Sequence, residues 1–196
     1  MEEKIIQLSN DYQHAGGIHI FFNSYNTERY LDIATDYVKV GIKQDKYVML
    51  IENERIYPLL LQKLKKALNP AQLERIHYIN SFDFYLYKKN FHPSTVVDYF
   101  LQKLAPYVEK NAAICSWGHI EWNDNHKMVA VVREYEEKVE KLVNDLDIMA
   151  VCAYDGVRLP AQLKKTLLNC HNVYMTDDDL IYPIRTGTKN FTSKDA

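Results

Sequence analysis

The residues best equipped for chemistry stand at the trailing ends of short apolar runs. Ile18 to Phe22 is followed by Asn23, Ser24, Tyr25 and Glu28, and Tyr47 to Ile51 by Glu52 and Asn53. Ile76 to Ile79 leads to Ser81 and Asp83. Ala112 to Trp117 leads to Gly118, His119, Glu121 and Trp122, and Ile148 to Tyr154 leads to Asp155. If the runs are strands of one parallel sheet, all these residues arrive at its carboxyl edge, where open α/β folds bind ligands. The set is acidic and aromatic, with no Lys or Arg among the residues named. Phosphate calls for cationic partners or a glycine-rich backbone, and a nucleotide-hydrolase loop would contain Gly-Lys. The chain has no such dipeptide, so a nucleoside triphosphate is disfavoured. An aromatic-lined pocket with a few polar groups suits a small organic molecule or a cation.

Other chemistries find less support. Cys152 with Asp155 and His171 invites a nucleophile reading, but Cys152 lies in the middle of an apolar strand. A reactive thiolate needs partial exposure and a base, so Cys152 reads as core. Ser24 lacks a Gly-x-Ser-x-Gly setting. His14, His119 and His171 show neither His-x-x-His nor His-Glu-x-x-His spacing, and His14 and His171 read as hydrogen-bonded structural residues. No metal and no cofactor are expected. Glu134-Tyr135-Glu136-Glu137 reads as a solvated helix face with one glutamate turned towards the crevice.

The elements that must position these residues follow from hydrophobic periodicity. Tyr30, Ile33, Ala34, Tyr37 and Val38 recur at helical spacing, with Thr27 as the expected cap. Further helices are expected around Leu59 to Leu68, from Pro93 to Val108, from Met128 to Leu146 and around Leu163 to Leu168, with a last short strand at Val173 to Met175. At least five strand–helix alternations imply right-handed crossovers. The expected fold is therefore α/β, a three-layer sandwich on a mainly parallel sheet. Residues 1–185 are expected to form one domain and 186–196 a polar tail.

Composition narrows the classes. The chain has 196 residues, a net charge of −2 and mixed charges, which gives no electrostatic footprint for nucleic acid. Three cysteines without a Cys-x-x-Cys pair argue against a disulfide framework. No run approaches the roughly 18 apolar residues of a membrane span, and the first 20 residues lack a signal-peptide core. A cytoplasmic location is expected.

An ordered set of segments resembles one known family. It comprises His14, Phe21-Phe22-Asn23-Ser24 with Glu28, Val40-Gly41-Ile42-Lys43-Gln44 and the strand Tyr47 to Ile51. It continues through Gly118-His119-Ile120-Glu121-Trp122, Glu134-Tyr135-Glu136, Cys152-Ala153-Tyr154-Asp155 and His171. Together they resemble the MEDS sensory domain of methanogens, methylotrophs and a dichloromethane-responsive regulator, with His119 where an acid is more usual. The resemblance implies a RecA-like fold with its phosphate-binding loop absent and a role in sensing small molecules. It also implies a signalling partner, such as a kinase, a sigma-factor regulator or a transcription regulator, since a chain of this length is expected to carry no output module of its own. The expected pocket comprises Asn23, Ser24, Tyr25, Glu28, Glu52, Trp117, Trp122, Tyr154, Asp155 and His171. The expected function is non-catalytic. The alternative is a nucleotide-binding or other enzyme on the same fold.

Overall fold

The computed structural model describes residues 1–12, 16–86, 91–122 and 128–182; His14 and the expected tail lie outside them. In chain order the elements are α1 (Glu2–Asp11), β1 (Ile18–Ser24), α2 (Thr27–Lys43), β2 (Tyr47–Glu52), α3 (Tyr57–Ala67), α4 (Pro70–Leu73) and β3 (Ile76–Asn80). They continue as α5 (Ser81–Tyr85), α6 (Pro93–Val108), β4 (Ile114–His119), α7 (Met128–Leu146), β5 (Met149–Asp155), α8 (Ala161–Cys170), β6 (Val173–Thr176) and β7 (Leu180–Ile181).

The seven strands form one sheet in the order β3-β2-β4-β5-β1-β6-β7. Every pairing is parallel except that of β6 with β7. β1 is buried along its whole length, because helices cover both faces of the sheet. Side chains alternate between those faces. Ile18, Ile20 and Phe22 join α1, α2 and α3 in one core, while Phe21 joins α5, α6, α7 and α8 in the other. The result is three layers on a mainly parallel sheet, as the alternation of elements implied.

The helix after β1 and the helix after β5 lie on opposite faces, although the two strands are neighbours. That divergence opens a crevice beyond their carboxyl ends. Two local features differ from expectation. Asn26, not Thr27, caps α2: its side chain accepts the Arg29 amide at 3.0 Å. β4 begins and ends two residues later than its apolar run, because its ladder with β5 extends to His119 opposite Ala153.

Candidate functional site

An open cleft of about 480 Å³ lies at the carboxyl ends of β1, β2, β4 and β5. Its walls come from the loops that follow these strands. Ser24, Tyr25, Asn26 and Thr27 follow β1, Asn53, Arg55 and Ile56 follow β2, His119, Glu121 and Trp122 close β4, and Asp155, Val157 and Arg158 follow β5.

The floor is a buried hydrogen-bond network centred on Glu52. Its carboxylate accepts the Tyr30 hydroxyl at 2.5 Å, His119 Nδ1 at 2.6 Å and the Asn53 amide at 2.9 Å. Trp117 Nε1 in turn donates to the Tyr30 hydroxyl at 2.9 Å. A buried carboxylate needs such donors to offset its lost hydration. Burial, with Glu52 beside it, pushes Tyr30 well up, so its hydroxyl stays protonated and donates. Burial alone would pull His119 down; the charge and hydrogen bond of Glu52, with Glu121 and Asp155 nearby, outweigh it and raise its pKa. His119 thus faces the cleft with Nδ1 held by Glu52 and Nε2 directed towards Glu121, 3.9 Å away. Asn53 Nδ2 donates to the same Glu121 oxygen at 3.1 Å. A histidine oriented by a buried carboxylate can exchange protons with whatever occupies the cleft.

The opposite wall is aromatic. The Arg158 guanidinium lies 5.0 Å from the centre of the Trp122 ring and donates to the Trp122 carbonyl at 3.2 Å. Trp122 leans on Tyr154 with ring centres 5.4 Å apart. Tyr25 and Val157 stand exposed at the rim.

Of the ten residues expected in the pocket, Ser24, Tyr25, Trp122, Tyr154 and Asp155 line the cleft. Glu52 and Trp117 are fully buried under it. Ser24 is committed to structure: its hydroxyl donates to Asp177 Oδ1 at 2.6 Å, and the Tyr25 amide donates to Asp177 Oδ2 at 2.8 Å. Three residues stand elsewhere. Glu28 points away on α2, paired with Lys63 at 2.6 Å, because one helical turn past the strand end carries it out of the crevice. Asn23 lies buried beneath the Gly156 turn and donates to the Tyr25 and Tyr174 hydroxyls at 3.1 and 3.4 Å. His171 is fully buried on the α7–α8 side, its ring centre 3.9 Å from that of His19. Burial, with His19 beside it, holds His171 down at about 3.

Sequence reasoning also missed partners. Tyr30 belongs to the regular apolar stripe of α2, so nothing in the pattern separated it from core. Arg55 and Arg158 each lie three residues beyond a strand end, just past the positions considered, and they correct the expectation of a cleft without cations. Glu136 is the inward-turned glutamate of its run. It lies one turn from Val132 and Val139 on the buried face of α7, and it accepts the Tyr154 hydroxyl beneath the cleft.

A family model described as MEDS, the methanogen/methylotroph, DcmR sensory domain, matches residues 19–172. The chain belongs to the MEDS family. No curated protein matches it. Among solved structures it is similar to a helicase-sized ATPase domain only in fold: the two superpose with a TM-score of 0.53 and 10% identity over 89% of this chain and 82% of that ATPase domain. It is also similar to the flagellar accessory protein FlaH from Methanocaldococcus jannaschii, with a TM-score of 0.49 and 11% identity over 82% of this chain and 71% of that one. At such identities the likeness concerns fold alone, and that fold is RecA-like. The MEDS match spans the cleft residues from Ser24 to Arg158 as well as His19 and His171. Among the described residues, no helix is long and apolar enough to cross a membrane.

Proposed function

We propose that this MEDS chain is a non-catalytic sensor that holds a small organic molecule in the cleft and reports its presence to a signalling protein. The observation that carries this reading is the cleft itself. A buried polar network (Glu52, His119, Tyr30) meets an aromatic wall (Trp122, Tyr154) at the edge where α/β folds take ligands. The ligand's polar group is oriented by His119 and Glu121, and its apolar body lies against Trp122 and Tyr25. Arg55 and Arg158 add the option of an anionic group. Occupancy favours one arrangement of the Asp155–Arg158 turn and the exposed Tyr25 and Val157 rim, and a kinase, sigma-factor regulator or transcription regulator reads that surface.

The nucleotide alternative meets two obstacles in the first strand-to-helix connection. That connection is only two residues, Tyr25 and Asn26. The amides that would greet a phosphate there are already taken, Tyr25 by Asp177 and Arg29 by the Asn26 cap.

The test is a melting-temperature screen of short-chain alcohols, amines and carboxylates, followed by native mass spectrometry of each complex. Trp122→Ala and Asp155→Ala should abolish the shift given by any compound that binds, while Glu28→Ala, outside the cleft, should retain it. A ligand whose shift survives both cleft substitutions in folded protein rejects this location.

A further inference from the structure

Four buried donor groups converge between the sheet and the α7–α8 layer. His19 comes from β1, Glu136 from α7, Cys152 from β5 and His171 from the residue that ends α8. One ligand atom from each lies within 4.8 Å of all the others. His19 Nε2 is 3.2 Å from Glu136 Oε2 and 3.4 Å from Cys152 Sγ, and His171 Nε2 is 3.5 Å from the same Glu136 oxygen. Nitrogen, oxygen and sulfur ligands tetrahedrally placed around one zinc-sized ion stand about 3.3–3.8 Å apart, given its bond lengths.

Both imidazoles are held from behind. His19 Nδ1 donates to Glu140 Oε2 at 3.0 Å, and His171 Nδ1 donates to the Leu167 carbonyl at 2.8 Å. Such outer contacts fix the ring orientation of metal-ligating histidines, and here they turn both Nε2 atoms inward. Tyr154 occupies Glu136 Oε1, which leaves Oε2 as the inward oxygen. Glu136 Oε2 and His171 Nε2 are buried without a hydrogen-bond partner. A proton on His19 Nε2 could bridge to Glu136, yet it would leave His171 Nε2 unpaired in the core, at the usual cost of a buried polar atom. One cation satisfies all four groups.

We propose that His19, Glu136, Cys152 and His171 form a four-coordinate site for a divalent first-row transition ion, zinc or ferrous iron. Two imidazoles, a carboxylate and a thiolate suit ions of this borderline softness and disfavour magnesium or calcium. Loading deprotonates the Cys152 thiol and releases that proton to solvent. All four ligands are protein groups and all are buried, so the site holds its ion closed and leaves no position for a reacting water. It is a separate site from the ligand cleft and does not depend on that reading. Tyr154 joins the two, with its ring in the cleft wall and its hydroxyl on Glu136.

The test begins with elemental analysis of protein purified without chelators; one zinc or one iron per chain is expected, and the element found distinguishes the two ions. Chelator-treated protein is then loaded with cobalt(II), which should give the intense visible bands of a tetrahedral site and a sulfur-to-cobalt charge-transfer band. Cys152→Ser should remove that last band, and His171→Gln should weaken the visible bands. Glu140→Gln keeps all four ligands, reads the site even where ligand variants do not fold, and should weaken metal affinity about 10–100-fold. Protein that carries neither metal and gives no cobalt spectrum overturns the proposal. So do folded Cys152→Ser and His171→Gln proteins with the unaltered spectrum.

Discussion

His119 is the residue on which the electrostatics of the cleft turn. The groups facing it are Tyr30 from α2, Glu52 from β2, Glu121 just beyond its own strand and Asp155 from β5. Burial opposes its charge, and the carboxylates outweigh burial, so its folded pKa lies above the ordinary value of about 6.5. A raised folded pKa means that the protonated ring binds the fold more tightly than the neutral one. The resulting stability is present in full below about pH 6.5 and is lost as pH climbs through the raised folded value. Unfolding titrations between about pH 6 and pH 9 should therefore show a falling component that His119→Gln abolishes. An identical slope in the variant would assign the fall to other groups. Much of this residue-scale picture was legible in the sequence, because a strand end is visible as the point where apolar residues stop. That is how Ser24, Tyr25, Glu52, Trp122, Tyr154 and Asp155 were placed at or under the cleft. Tyr30 was not legible, since a tyrosine that donates to a buried carboxylate looks the same in sequence as one that fills a core. His19 and Glu136 were hidden for a related reason: their partners come from four different elements, so no local spacing marks them.

At the scale of elements, what holds the buried cluster together is the contact of α7 with the start of β1. Gly17 sits where a Cβ would come within 2.0 Å of the Val143 carbonyl oxygen, a backbone atom that cannot turn aside. The missing side chain lets α7 lie close enough for Glu136 and Glu140 to reach His19. Gly17→Ala should force the helix outward and cost about 1–3 kcal/mol, as overpacked sites do, lowering the melting temperature by about 2–4 °C for each kcal/mol. Because α7 carries Glu136, the same substitution should also weaken zinc or cobalt retention, whereas an overpacking effect confined to the core would leave retention intact. Thermal melts and metal titrations of the one variant separate these outcomes. The long, periodic elements were readable from the chain alone, α7 from Met128 to Leu146 above all. Short ones were not. α1 buries only Ile5 and Leu8, α5 is five residues started by the Asn80 cap, and β7 is two residues held by pairing with β6. Elements of that size are set by tertiary contacts more than by their own pattern.

At the scale of the whole molecule, the chain keeps a RecA-like arrangement while its first strand-to-helix connection has taken on another task. In a P-loop protein that connection is a glycine-rich cradle of backbone amides. Here Ser24 and the Tyr25 amide grip Asp177, and Arg29 donates to the Asp177 carbonyl at 2.7 Å, tying β1 and α2 to the turn between β6 and β7. A carboxylate thus stands where a phosphate would otherwise lie, and its charge would repel one. Mg-ATP and Mg-ADP should accordingly leave the melting temperature unchanged up to millimolar concentration. A nucleotide binding at about 100 times its dissociation constant would add roughly 2.7 kcal/mol, or about 5–10 °C for a chain of this size, so a real site would be plain to see. A shift that vanishes in Arg55→Ala or Arg158→Ala would move the nucleotide into the cleft proper and favour the enzyme reading, with the Glu52–His119 pair as its acid–base group. The absence of any shift would leave the cleft to ligands without a polyphosphate. Asp177→Asn decides whether the carboxylate itself is the barrier: it removes the charge while retaining one oxygen to accept the Tyr25 amide. If charge is what excludes nucleotide, this substitution alone should bring a measurable shift with Mg-ATP. If the two-residue length of the connection is what excludes it, the variant should stay as unresponsive as the parent.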